Sequence, residues 1–122
     1  MLYNKQKDAR MDLRKITDDV SVAGQITPND LPDLMAMGFK SLICNRPDGE
    51  SVGQPEYVDV EAAAKALGLE TRYIPIYPGM MGDEEIIAFK AALKDLPHPV
   101  LAYCRSGARS TTLFQASQVY LP

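Results

Sequence analysis

Hydrophobic and polar positions along the chain switch repeatedly between two periods. "VSVAG", from Val20 to Gly24, alternates as a short strand does. "TPNDLPDLMAMG" then carries helix-start signals: Thr27 as N-cap, Pro28 at the first helical position and acids in the first turn, with Gly38 as the stop. "FKSLIC", Phe39 to Cys44, is an apolar run bounded by the turn residues of "NRPDGE" and predicts a buried strand. "YVDVEAAAKALG" predicts a helix ending at Gly68, followed by the strand "TRYIPI". "GDEEIIAFKAALKDL" places Ile86, Phe89 and Leu93 on one helical face, with acids at its start and Lys94 near its end. After the break at "PHPV", "VLAYC" predicts the next strand and "SGARSTTLFQASQVY" the last helix. Strands alternating with helices predict an α/β fold, a parallel-type central sheet flanked by helices on both faces. Ligands of such sheets bind beyond the carboxyl ends of the strands, which is where Cys44 and Cys104 fall.

Length and composition set the bounds. A chain of 122 residues with 46% hydrophobic content fits one domain able to bury a core without disulfide or metal staples. Residues 1–10 are polar and read as a loose leader, leaving 11–122 as a single domain. No apolar run approaches the roughly 18 residues of a membrane span. The charged start "MLYNKQKDARMDLRK" lacks the apolar core of a signal peptide, which predicts a cytoplasmic protein. A net charge of −3 gives no electrostatic footprint for nucleic acid or an anionic membrane. Two distant cysteines form no disulfide framework, and one histidine is too few for a zinc site. No metal or cofactor is expected, and no heptad or apolar stripe assigns an oligomeric state.

The chemistry concentrates in "VLAYCRSGARSTT", residues 100–112. Between a strand end and a helix start, successive backbone N–H groups can curl into an anion-binding nest, to which the helix N-terminus adds partial positive charge. Here the loop would consist of Cys104, Arg105, Ser106, Gly107, Ala108, Arg109 and Ser110. Gly107 permits the tight turn. Arg105 and Arg109 supply full charges, and a guanidinium offers a fork matched to tetrahedral oxyanions. Cys104 in that field is expected to ionise well below its free value of about 8.5. A buried cysteine followed by a helix with water-facing arginines is the plainer alternative, and the glycine and paired arginines argue against it. A protease-like Cys–His pair is also disfavoured. His98 precedes the strand that Cys104 ends, so the two lie at opposite sheet edges.

The segments "MDLRKITDDVSVAGQITPNDLPDLMAMGFKSLICNRPDGE", "ETRYIPIYPG" and "PVLAYCRSGARS" resemble the beta-lactamase-hydrolase-like protein, phosphatase-like domain family, from about Met11 to Ser117. The resemblance implies a fold similar to dual-specificity protein tyrosine phosphatases, with catalysis through Cys104. Members are described both as phosphatase-like and as rhodanese-like sulfurtransferases. Tyrosine phosphatases carry histidine, cysteine, five residues and arginine. Here Tyr103 replaces the histidine, Ser110 stands where the arginine would, and Arg109 leaves four intervening residues. "CRSGAR" is therefore similar to the shorter rhodanese loop.

Phosphatases of this fold also use an aspartate as general acid. After "IPI" come Tyr77, Pro78 and Gly79, with no acid until Asp83, which reads as the cap of the "DEEII" helix. Asp48 could substitute, although it also reads as a turn residue before Gly49. Loss of a general acid costs about 10²- to 10⁴-fold, whereas sulfur transfer expels a stable anion and needs none. The first expectation is thus a sulfurtransferase, passing sulfane sulfur from thiosulfate or a persulfide to a thiol through a Cys104 persulfide. A phosphatase acting through a Cys104 phosphocysteine is the alternative, and a non-catalytic anion-binding module is the third reading. The expected partner is correspondingly a small-molecule thiol, a persulfide or a phosphate ester. Cys44 could resolve an oxidised Cys104, although a small buried hydrophobe is the commoner role. Arg46 could extend the anion site or pair with Asp48 or Glu50.

Overall fold

The computed structural model describes residues 11–120; the leader expected at 1–10 lies outside them. Five strands, β1 (Arg14–Lys15), β2 (Val20–Ala23), β3 (Ser41–Cys44), β4 (Glu70–Tyr73) and β5 (Val100–Tyr103), form one sheet in the order β1-β2-β5-β3-β4. β2, β5, β3 and β4 run parallel, while β1 pairs antiparallel with β2 through Arg14 opposite Val22 and Lys15 opposite Ser21. The sheet is therefore mixed but mostly parallel. β1 carries no strand signal because it is two exposed charged residues, too short for a period to register.

Four helices flank the sheet: α1 (Leu31–Ala36), α2 (Tyr57–Leu67), α3 (Asp83–Asp95) and α4 (Ala108–Val119). The strands alternate their side chains between two cores, as a pleated strand must. Leu42, Cys44, Leu101 and Tyr103 join Leu31, Leu34, Val60 and Ala64 of α1 and α2 on one face. Ile43, Val100 and Ala102 join Phe89, Ala92, Leu113 and Phe114 of α3 and α4 on the other. Full burial of a side chain such as Phe89 stabilises by about 1.5–3 kcal/mol.

Element ends depart from the sequence expectation where proline and capping intervene. The segment after Thr27 opens as a 3-10 turn, Pro28–Asp30, before α1 begins. Asp30 reaches back to accept the Thr27 N–H at 2.8 Å. The strand expected over "TRYIPI" leaves the regular ladder after Tyr73, since Pro75 has no N–H. Ile74 and Ile76 still donate to the carbonyls of Cys44 and Asn45, so this segment runs on beside the β3 exit. Asp83 is the first residue of α3 rather than its cap. Gly82 takes that position, its N–H bonded by Glu85 at 2.8 Å. His98 lies at the opposite sheet edge from Cys104, with Nε2 at 2.6 Å from the Leu93 carbonyl. Among the described residues, no helix is long and apolar enough to cross a membrane.

Candidate active site

The β2–β5 pairing continues past both strands and shapes the cysteine loop. Cys104 N–H donates to the Ala23 carbonyl at 3.3 Å, and Gln25 N–H donates to the Arg105 carbonyl at 3.2 Å. Gly24 permits this approach: a Cβ there would stand 3.0 Å from the Arg105 oxygen. The Gly107 carbonyl is taken by Thr111, through its N–H at 3.0 Å and its Oγ1 at 2.8 Å. With these carbonyls turned away, the loop's amides are left to face the sulfur.

Gly107 N–H points at Cys104 Sγ from 3.1 Å. Gly107 has φ of +95°, a left-handed conformation that a larger residue would hold under strain. Burial opposes ionisation of Cys104, but the backbone N–H groups of Ser110, Ser106, Gly107 and Arg109 outweigh it and hold the thiol below its ordinary pKa. Ala108 N–H is directed elsewhere, to Ser106 Oγ at 3.3 Å. Arg105 and Ser106 are exposed, whereas Cys104 is buried.

Arg109 enters from the first turn of α4. Its guanidinium grips Glu50 with both ends, Nη1 to Oε2 at 2.7 Å and Nη2 to Oε1 at 2.8 Å, and Nη1 also donates to the Ile76 carbonyl at 2.8 Å. Three of the five guanidinium donors are thereby engaged, and Nε–H and one N–H of Nη2 are left to serve the loop. Glu50 also accepts from Arg46 Nε at 3.0 Å. The Arg109 hydrogen bond is the main reason that the Glu50 carboxyl is held below its usual range, and Arg46 adds to it.

Arg46 is 4% exposed and also donates from Nη1 to Gln25 Oε1 and from Nη2 to Ser51 Oγ. Its geometry is that of a brace for Glu50 rather than an open anion contact. Asp48 also has an occupied carboxylate, accepting Tyr57 N–H at 2.8 Å at the start of α2. Cys44 sits in the α1–α2 core, its Sγ 3.3 Å from the Arg46 carbonyl, and burial pushes its thiol up to about 11. Tyr103, at the position where phosphatases carry histidine, is buried, and its own ionisation is pushed upward by that burial.

Several supporting contacts have no signal in the sequence. Ser110 Oγ donates to Asn45 Oδ1 at 2.9 Å while Asn45 Nδ2 donates to the Ile74 carbonyl, tying the loop to the ends of β3 and β4. The sequence suggests Glu50 only as a partner for Arg46. Its grip on Arg109 spans a sequence separation of 59 that no local pattern reveals. Arg14 of β1 contacts the loop through the Ser106 carbonyl at 3.2 Å.

A mostly parallel sheet with a buried cysteine cradled by loop amides beyond its carboxyl edge defines a domain of the protein tyrosine phosphatase-like fold. Residues 12–120 match the family described as "Beta-lactamase hydrolase-like protein, phosphatase-like domain", and the chain belongs to that family. The curated "Beta-lactamase hydrolase-like protein" of Agrobacterium fabrum is 38% identical over 100 residues, covering 82% of this chain and 23% of that protein. The chain spans about a quarter of the length of the curated relatives that it matches. A candidate phosphatase from Neisseria meningitidis has a similar structure, with a TM-score of 0.81 at 26% identity over 91% of this chain and 81% of that one. TpbA of P. aeruginosa in complex with phosphotyrosine shares the fold at 16% identity and a TM-score of 0.64, covering 95% of this chain and 64% of that one.

Proposed function

We propose that this domain is a cysteine-dependent phosphatase acting on aryl phosphate monoesters, with Cys104 as nucleophile. The observation that carries the reading is the Gly107 N–H aimed at Cys104 Sγ from 3.1 Å, in a loop whose backbone amides hold the thiol below its ordinary pKa. The phosphatase-like family and the Neisseria relative support phosphoryl rather than sulfuryl chemistry. This order reverses the one expected from the sequence, where sulfur transfer came first.

In the first step Cys104 Sγ attacks phosphorus, the S–P bond forms, and the P–O bond to the aryl group breaks with its electron pair leaving on the phenolate. The loop amides and the remaining Arg109 donors stabilise the equatorial oxygens as charge redistributes. Water then attacks the phosphocysteine, releasing inorganic phosphate and the thiolate. The preference for aryl esters follows from the acids. Asp48 is bonded to Tyr57 N–H, Glu50 is held ionised by two arginines, and Asp83 is an exposed residue in the first turn of α3. A phenol, with a pKa of about 10, leaves unaided far more readily than an alkanol.

Turnover of a series of aryl phosphates against an alkyl phosphate tests this. The expected result is a steep rate dependence on leaving-group pKa, with no turnover by Cys104→Ser. A flat dependence would reveal a working general acid and overturn the aryl restriction. Equal rates in Cys104→Ser and the parent would reduce the domain to an anion-binding module.

Sulfur transfer is the second reading, favoured by the same occupied carboxylates and by the four-residue spacing from Cys104 to Arg109. The thiolate would attack the outer sulfur of thiosulfate, the S–S bond would break with sulfite leaving as a stable anion, and a thiol would take the sulfur from the persulfide.

A further inference from the structure

We infer that Arg14, on the edge strand β1, is a positioning residue for Cys104: it holds the Ser106–Gly107 peptide so that its N–H faces the sulfur. Arg14 Nη2 donates to the Ser106 carbonyl at 3.2 Å, and the N–H of that same peptide unit, on Gly107, donates to Cys104 Sγ at 3.1 Å. In a trans peptide the C=O and N–H point in opposite directions, so a donor on the oxygen fixes where the N–H aims. It also polarises that N–H, strengthening its bond to an anion.

The neighbouring peptides are secured differently. The Arg105 carbonyl is held by the Gln25 backbone and the Gly107 carbonyl by Thr111 within α4. The Ser106 carbonyl is instead held by a long side chain arriving from another strand. Glycine adopts positive and negative φ about equally well, so rotation of the peptide preceding Gly107 meets little resistance from Gly107 itself. Such a rotation would withdraw an N–H from the sulfur and present a carbonyl to it. Arg14 opposes it. Its guanidinium also packs directly on Gly107, where a Cβ would collide with Nη2.

The groups facing Cys104 come from several elements. Arg109 arrives from α4, and Cys44 from β3 stays neutral to about 11. Arg14 acts from β1 through the peptide, and the charge of Glu50 is matched by Arg46 and Arg109. Arg14 therefore adds a control on the sulfur that the paired charges do not supply.

The inference rests on the proposed role of Cys104 as nucleophile, but its test reads the sulfur with no substrate present, so it does not depend on which group is transferred. The rate of iodoacetamide alkylation of Cys104 is followed against pH by peptide mass spectrometry in the parent, Arg14→Met, Arg14→Gln and Arg14→Lys, with Cys44 as the control in each protein. The Met and Gln variants are expected to raise the Cys104 midpoint by about half to one pH unit, slowing alkylation about three- to tenfold below the parent's midpoint. Arg14→Lys, which keeps the charge and a donor, should recover most of the shift. A merely structural role would lower the urea unfolding midpoint and leave the thiol titration in place. A parental Cys104 midpoint in either folded Met or Gln variant would overturn the assignment.

Discussion

Cys44 and Cys104 end neighbouring parallel strands at the same sheet edge. Cys44 is in register with Tyr103, one residue before Cys104. Both are buried, at 3% and 1% exposure. Yet burial pushes one thiol up to about 11, while the other is held below its ordinary value. The difference lies in the chain that follows each cysteine. After Cys44, the backbone offers a carbonyl, that of Arg46, which suits a protonated thiol as donor. After Cys104, the carbonyls are secured outward and N–H groups face the sulfur, which suits a thiolate. Neither depth nor position in the sheet separates the ionisation of these two thiols; peptide orientation does.

The largest effect that would break this contrast is at the sulfurs themselves. Cys104→Ser should abolish turnover of aryl phosphates, by at least about 10³-fold, because an alkoxide is not accessible at neutral pH. Cys44→Ser should keep turnover within a few-fold of the parent, measured side by side with the same substrate. Next comes the charge frame. Glu50→Gln loosens Arg109 and leaves the buried Arg46 without its carboxylate, which should lower kcat/KM by about ten- to a hundredfold.

The pH dependence sharpens the same comparison. A raised thiol pKa in the folded state means that the unfolded chain loses its Cys44 proton first. The contribution of Cys44 is therefore full below the unfolded value near 9 and declines as pH rises towards about 11, by about 2 kcal/mol, readable by urea unfolding across that range. Cys104 has the opposite sign. Its stabilising contribution is present above the unfolded thiol pKa and is lost as pH falls through its lowered folded value. The rate of turnover should follow the same ionisation, rising with pH and levelling once the thiolate is formed. Ser110→Ala removes the bond to Asn45 in a fully buried site and should cost about 1–2 kcal/mol in the same unfolding measurement. The smallest effect is expected at Asp48→Asn. Its carboxylate holds Tyr57 N–H, so a stability loss of about 0.5–1 kcal/mol with little change in turnover is predicted.

Much of this arrangement was legible in the sequence because it is local. The alternation of strand and helix signals, the stop at Gly68, and a cysteine followed by glycine and arginines at a strand end all lie within windows of a dozen residues. The links across the sheet were not legible. Arg109 meeting Glu50, Ser110 meeting Asn45 and Arg14 meeting Ser106 join segments separated by 59, 65 and 92 positions. A single sequence carries no signal for such pairs. Arg46 and Asp48 show the same limit from another side. Both stand in the loop that leaves β3, but only the folded neighbours, Glu50 for one and Tyr57 N–H for the other, decide that these side chains are braces. Strand β1 leaves no pattern in the sequence because two charged residues in an antiparallel edge have no apolar face to display.

The most direct test of the central claim is the intact mass of the protein, quenched in acid during turnover of an aryl phosphate, with Cys104→Ser and a thiosulfate-treated sample in parallel. The account predicts one added phosphoryl group, mapped to the peptide holding Cys104 and absent from the serine variant. Phosphate release with no adduct on Cys104, or an added sulfur from thiosulfate with no phosphoryl adduct, would contradict it, and the latter would put sulfur transfer in its place.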